Sequence, residues 1–286
     1  MAVLSGILID GLAYGMILFM VSVGLSVTMG LMRVINLAHG GFALLGGAMA
    51  HWMTTNSDFN YYFSVFLAVL ATMIIAVVME KIFYRKIYKF TELQQVLATI
   101  GITFLMIAGV NFLLGSTILP IRSPEFFSSS INLGFRTLPV HRIVVIIAGM
   151  VIGLGLYILL DKTRFGIHLR ASVDNRNMAA SLGINTAKVY ALSFALGAGL
   201  AAFGGILGAE LLPIDAYYPL RYMVLFLVVV AVGGLGSISG SFLAAIGLGI
   251  IDTAARYIVP EYGTIFFFIA MILVLLLRPQ GLLGKE

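Results

Sequence analysis

Long stretches almost free of charge recur from one end of this sequence to the other, and they constrain it more than any other feature. A helix rises 1.5 Å per residue, so about 20 apolar residues cross the roughly 30 Å hydrocarbon layer of a bilayer. Such stretches stand at 5–29, 34–53, 62–82, 93–114, 141–160, 189–212, 222–236, 241–259 and 264–277. Water cannot be the main solvent of this chain. Only 10% of its residues are charged and 61% are hydrophobic, with a mean hydropathy of +1.08, whereas a soluble domain carries roughly 25% charged residues to cover its surface. The expected fold is all-α: a polytopic transmembrane helical bundle of about 8–9 spans with broken or re-entrant segments, forming one membrane domain over 1–286. No basic residue precedes the first stretch and no A-x-A-like cleavage site follows it, so it reads as a retained helix rather than a signal peptide.

The basic side chains sort the connecting segments by side. One set holds Arg33, then Lys81, Arg85, Lys86 and Lys89, then Lys162, Arg164, Arg170, Arg176 and Lys188, then Arg278 and Lys285; the other holds Arg122, Arg136, Arg142, Arg221 and Arg256. Under the positive-inside rule the richer set is cytoplasmic, which puts the amino terminus outside and the carboxyl terminus inside. The net charge of +5 is thus dispersed over loops and forms no nucleic-acid-binding patch. Two loops have room for structure. Residues 116–140, with three prolines and the run Ser128-Ser129-Ser130, read as an irregular external segment. Residues 161–188 combine basic side chains with a helix-compatible run at 177–182 closed by Gly183, and read as a cytoplasmic loop carrying a short helix.

Polar groups inside an apolar span are costly unless they are paired or face a cavity. Asn36 and His39 stand one helical turn apart, next to Gly40 and Gly41, where a break in the helix is expected to expose backbone groups toward a solute path. A second glycine-rich stretch holds Gly233, Gly234, Gly236, Ser237 and Gly240, more glycine than a helix interior tolerates, since each costs roughly 1 kcal/mol relative to alanine. Gly40-x-Phe42 and Gly240-x-Phe242 begin similar small-residue runs, the mark of a possible internal repeat. Both stretches are assigned to the substrate pathway. Most other glycines, such as Gly197, Gly204, Gly205 and Gly208, have the spacing of close helix packing. Among the acids, Glu80 reads as a solvated end residue, Glu210 as interfacial, and Asp252 as the partner of Arg256 one turn later. With no cysteine, no convergent metal ligands, no nucleophile-base pair and no G-x-x-x-x-G-K-[ST] run, neither catalysis nor a resident nucleotide site is expected.

Taken together, four motifs resemble the branched-chain amino acid type of ABC importer permease. They are Asn36-x-Ala38-His39-Gly40; Thr163-Arg164-Phe165-Gly166-x-x-x-Arg170-Ala171, continuing through Asn175 to Ala179-Ala180-x-x-Gly183-Ile184-Asn185; the glycine stretch 233–240; and Arg278-Pro279-Gln280-Gly281-Leu282-Leu283-Gly284. The resemblance implies a multi-pass subunit of a bacterial inner membrane, paired with a second, homologous permease as a heterodimer. It also implies two cytoplasmic ATPases, which hold the ATP and magnesium that this chain lacks, and an external solute-binding protein. It makes the short helix in 161–188 a coupling helix, with Arg164, Arg170, Ala171, Asn175, Ala179, Ala180, Gly183 and Ile184 docking on an ATPase. An anchor to anionic lipid is the plainer use of such a basic loop. The broken segments and the repeat, taken alone, equally suit an ion-coupled secondary transporter or a channel.

Overall fold

The computed structural model describes residues 2–31, 34–57, 59–132 and 137–284; Arg33, Arg136 and Lys285, used above to assign sides, lie outside these. Each of the nine apolar stretches becomes a helix: α1 (Ala2–Leu25), α2 (His39–Asn56), α3 (Tyr61–Met79), α4 (Glu92–Leu114), α5 (Val140–Tyr157), α8 (Thr186–Gly208), α9 (Tyr218–Gly233), α10 (Ile238–Ile258) and α11 (Gly263–Leu277). Two polar helices, α6 (Arg164–Asp174) and α7 (Arg176–Ser181), stand between α5 and α8. Among the described residues, seven of the apolar helices are long and apolar enough to cross a bilayer. The other two are short: α2 has 18 residues and α9 has 16, about 27 and 24 Å at the helical rise.

Burial separates a centre from a periphery. In α1 and α8, 78% of the most apolar window is buried inside the protein, against 11% for the span that includes α11 and 22% for that of α5. Lipid gives helices no hydrophobic reason to associate, so a central pair needs close backbone approach. Glycine supplies it. Gly24 of α1 lies against Gly197 of α8, Gly205 of α8 against Ala43 of α2, and Gly11 and Gly15 of α1 against Ile250 and Ala245 of α10. These contacts run α1 and α10 in opposite directions, so the end of α1 meets the start of α10. At that same end Val27, Leu160, Leu169 and Val189 form a small core that seats α6 on the bundle.

Three helices widen into π-helical turns where they reach this end: Ser26–Leu31 after α1, Glu80–Tyr84 after α3 and Ile158–Lys162 after α5. The segment 116–139 is more ordered than the sequence suggests. It holds a helical turn at Glu125–Ser128 and a two-stranded antiparallel ribbon, β1 (Ser130–Asn132) with β2 (Thr137–Pro139). Pro139 ends the ribbon, where its missing N–H costs no ladder bond. The segment is tied down by the Leu119 N–H on the Ile214 carbonyl (2.8 Å) and by His51 Nδ1 at the Pro120 carbonyl (2.6 Å). Glu80 corrects the sequence reading: its side chain is 1% exposed and bonds Arg85 Nε at 3.3 Å, because the π turn rolls it inward while Arg85 reaches out to solvent. Asp252 does pair with Arg256, through two contacts of 2.7 and 3.3 Å, and Glu210 is half-exposed against His141 (3.1 Å).

Candidate functional site

The chain is not helical over 34–36 and turns at 37–38 before α2 begins. The break therefore precedes Gly40 and Gly41 instead of falling on them. Both glycines are helical, in the first turn of α2, where Gly40 sits against Pro219 at the start of α9 and Gly41 against the sulfur of Met106. The break lies within the membrane-spanning depth. His39 donates from Nε2 to the carbonyl of Val21 at 3.0 Å, and Val21 is eight residues inside the Met29 end of its span, about 12 Å along the axis.

Unpaired backbone groups at that depth cost several kcal/mol each, and α4 supplies partners for them. Gln95 Oε1 accepts from the Ile35 N–H (3.1 Å), Thr99 Oγ1 from the Leu37 N–H (3.2 Å), and the Thr103 hydroxyl donates to the Leu37 carbonyl (3.3 Å). Residues 95, 99 and 103 are one turn apart, so one face of an apolar helix carries a polar ladder beside the break. Asn36 is fully buried: its Oδ1 accepts from the Ala38 N–H (3.1 Å) and the Tyr84 hydroxyl (2.8 Å), while its Nδ2 has no partner among the described residues. Tyr84 stands in the π turn after α3 and packs at a tilt against Phe194 (4.4 Å between centroids), which meets Phe42 edge-on. Tyr84, Gln95, Thr99 and Thr103 were absent from the sequence-based candidates. The Gln-x-x-x-Thr-x-x-x-Thr spacing was the available signal.

Gly233, Gly234, Gly236, Ser237 and Gly240 stand apart from Asn36 and His39. They form the turn between α9 and α10, with Gly234 at φ 97° and Gly236 at φ 78°, a region open to glycine; Ser237 caps α10 by accepting from the Gly240 N–H (3.0 Å). The last carbonyls of α9 are covered by the carboxyl-terminal segment: the Leu282 N–H donates to Val232 (2.7 Å) and the Leu283 N–H to Gly233 (3.1 Å). Gly236 and Ser237 share a cleft of about 390 Å³ with Asp161, Arg170 and Leu283. The glycine turn thus neighbours the 161–188 segment.

Within that segment Arg170 ties α6 to the preceding π turn through the Leu160 carbonyl (2.5 Å) and Asp161 (3.5 Å). Arg164 opens α6 and Ala171 lies in its last turn. Asn175 caps α7 by accepting from the Met178 N–H (3.0 Å). Gly183, at φ 85°, ends it, with the Ile184 N–H on the Ala179 carbonyl (3.1 Å). Ala179 is buried and Ala180 exposed. Beside Ala180, Met178 (59%) and Leu182 (75%) are exposed apolar side chains that sequence reasoning passed over.

Residues 7–275 match the family described as branched-chain amino acid transport system / permease component. The chain is 27% identical to the high-affinity branched-chain amino acid transport system permease protein LivH of Salmonella typhimurium, over 96% of this chain and 94% of the relative. It is 26% identical to the corresponding protein BraD of Pseudomonas aeruginosa, over 97% and 95%. To the probable branched-chain amino acid transport permease protein LivH of Methanocaldococcus jannaschii the identity is 28%, over 98% and 92%.

Proposed function

Because the chain belongs to the branched-chain amino acid transport permease family, and so is a multi-pass membrane permease subunit of an ABC importer, we propose that its solute is a branched-chain or similar small amino acid. Its partners in this reading are a second, homologous permease, two cytoplasmic ATPases that hold ATP and magnesium, and an external solute-binding protein. The surrounding lipid covers the rest. The amino terminus is outside and the carboxyl terminus inside.

The observation that carries the reading is the surface of α7. A lone loop helix in water buries its apolar side chains, yet Met178 and Leu182 point away from the bundle beside Ala180 and Gly183, as a helix does when a protein groove covers it. ATPase closure then moves α7 and with it α6, whose Arg170 is tied to the π turn after α5 and shares a cleft with the glycine turn. The break at 34–38, which holds Asn36 and leads into His39, Gly40 and Gly41 in the first turn of α2, is where the solute path opens and closes: its backbone bonds are made by side chains of α4 and can be exchanged, while a continuous helix must unwind. The test is Ala180→Trp in the assembled transporter. Being exposed, this position accepts the ring without disturbing the bundle; uptake is expected to fall at least tenfold, roughly the loss of 1.4 kcal/mol of coupling, with membrane insertion intact. Undiminished uptake would remove the docking role. Ala179→Trp is a poorer test, because the buried site refuses the ring for packing reasons alone.

A further inference from the structure

A cavity of about 420 Å³ opens between α1, α5, α9 and α10, at the end of the bundle opposite α6 and α7. Its depth follows from the helices: Asp10 is seven residues inside the Val3 end of its span and Asp252 six inside the Ile258 end of another, about 10 and 9 Å. Four charged side chains line it in a protein whose spans are otherwise nearly free of charge, and intramembrane ionisable groups mark solute routes more often than packing.

The two acid-base pairs differ. Asp252 and Arg256 are closed on each other by two short contacts, and Arg256 also reaches Thr264 (3.4 Å). Asp10 accepts from the Tyr257 hydroxyl at 2.7 Å, but its approach to Arg142 Nε is 3.7 Å, beyond hydrogen-bond distance. Arg142 Nη1 is buried with no partner among the described residues, an expensive condition for a guanidinium N–H. A turn of the partly exposed side chain toward a carboxylate in the cavity gives this guanidinium the strongest type of pair it makes. Asp10, in the looser of the two pairs, supplies negative charge in the same cavity for an ammonium group, and Leu211, Leu212 and Leu225 supply an apolar wall.

We propose that this cavity is an outer binding site for a zwitterionic amino acid with an apolar side chain, and that Arg142 takes its carboxylate. The inference rests on the importer reading above and adds to it a place where the solute, released on the outer side, is held before it reaches the break at residue 36.

The experiment measures binding of radiolabelled leucine to the purified transporter, permease with its partner subunits but without the solute-binding protein, in competition with leucine and with leucinamide, which lacks the carboxylate charge. The wild type is expected to bind leucine saturably and to prefer it to leucinamide by about tenfold, the worth of one charge-assisted hydrogen bond. Arg142→Gln should level the two and Arg142→Lys keep part of the preference. Absence of saturable binding, equal competition by the amide in the wild type, or undiminished preference in Arg142→Gln would each overturn the site. The wild-type comparison stands even where a variant does not fold. ATP-driven leucine uptake by the same wild-type protein in vesicles, with the binding protein added, separates the two readings: uptake without the preference sinks the cavity alone, and no uptake sinks both.

Discussion

At the residue scale the break at 34–38 rests on a few side chains whose removal has calculable effects. Tyr84 and Asn36 share one hydrogen bond of 2.8 Å between two fully buried groups. Tyr84→Phe keeps the ring on Phe194 and deletes only the hydroxyl, so it should cost about 1 kcal/mol of stability. Asn36→Ala costs more, since the Ala38 N–H loses its acceptor too. If the pair is the link that holds the π turn of α3 to the break, the double variant is less damaged than the sum of the singles, by about 0.5–1.5 kcal/mol in thermal or denaturant unfolding. Strict additivity would show that the two groups act separately. None of this was legible beforehand on the Tyr84 side. Asn36 and His39 stood out as polar residues in an apolar stretch; Tyr84, amphipathic and near a helix end, looks like any interfacial tyrosine until the π turn carries its hydroxyl inward.

At the element scale the sequence located every apolar helix, because length and hydropathy are local properties. It misplaced the start of α2, because what stabilises the break comes from residues about 60 positions away on α4, and no local pattern around Gly40 reports that. It also read segment 116–140 as irregular, since three-residue strands that pair with each other leave almost no periodicity. The glycines divide by what they touch. In Gly24→Ala the new methyl meets the Gly197 backbone, with Cα at 2.8 Å, whereas in Gly41→Ala it meets the far end of the Met106 side chain, which can swing away. Gly24→Ala should therefore cost about 1–3 kcal/mol through separation of α1 from α8. Gly41→Ala should stay within about 1 kcal/mol of wild type, because the helix propensity of alanine offsets a small clash. Folded yield and melting temperature in detergent decide between them, and a reversed order would mean that the central helices are not held by that backbone contact.

At the scale of the whole molecule, the apolar centre, the break, the charged cavity and the polar helices line up along one axis. The cavity of Asp10, Arg142, Asp252 and Arg256 sits at the end of α1 opposite its π turn, while α6, α7, the glycine turn and the carboxyl-terminal segment gather at the other. This polarity makes sense for import only if the cavity end faces outward, the orientation proposed above from the basic side chains. The absence of cysteine gives a direct test, because a single introduced thiol reports its own side without background. Ser181 in the last turn of α7 and Ser129 just before β1 are both exposed, so neither substitution disturbs packing. In intact cells a membrane-impermeant maleimide should label Ser129→Cys and leave Ser181→Cys unmodified until the membrane is broken. The opposite pattern would turn the protein over, put the solute cavity in the cytoplasm and set α7 where no ATPase can reach it, so that the direction of transport and the coupling role of α7 would have to be abandoned together.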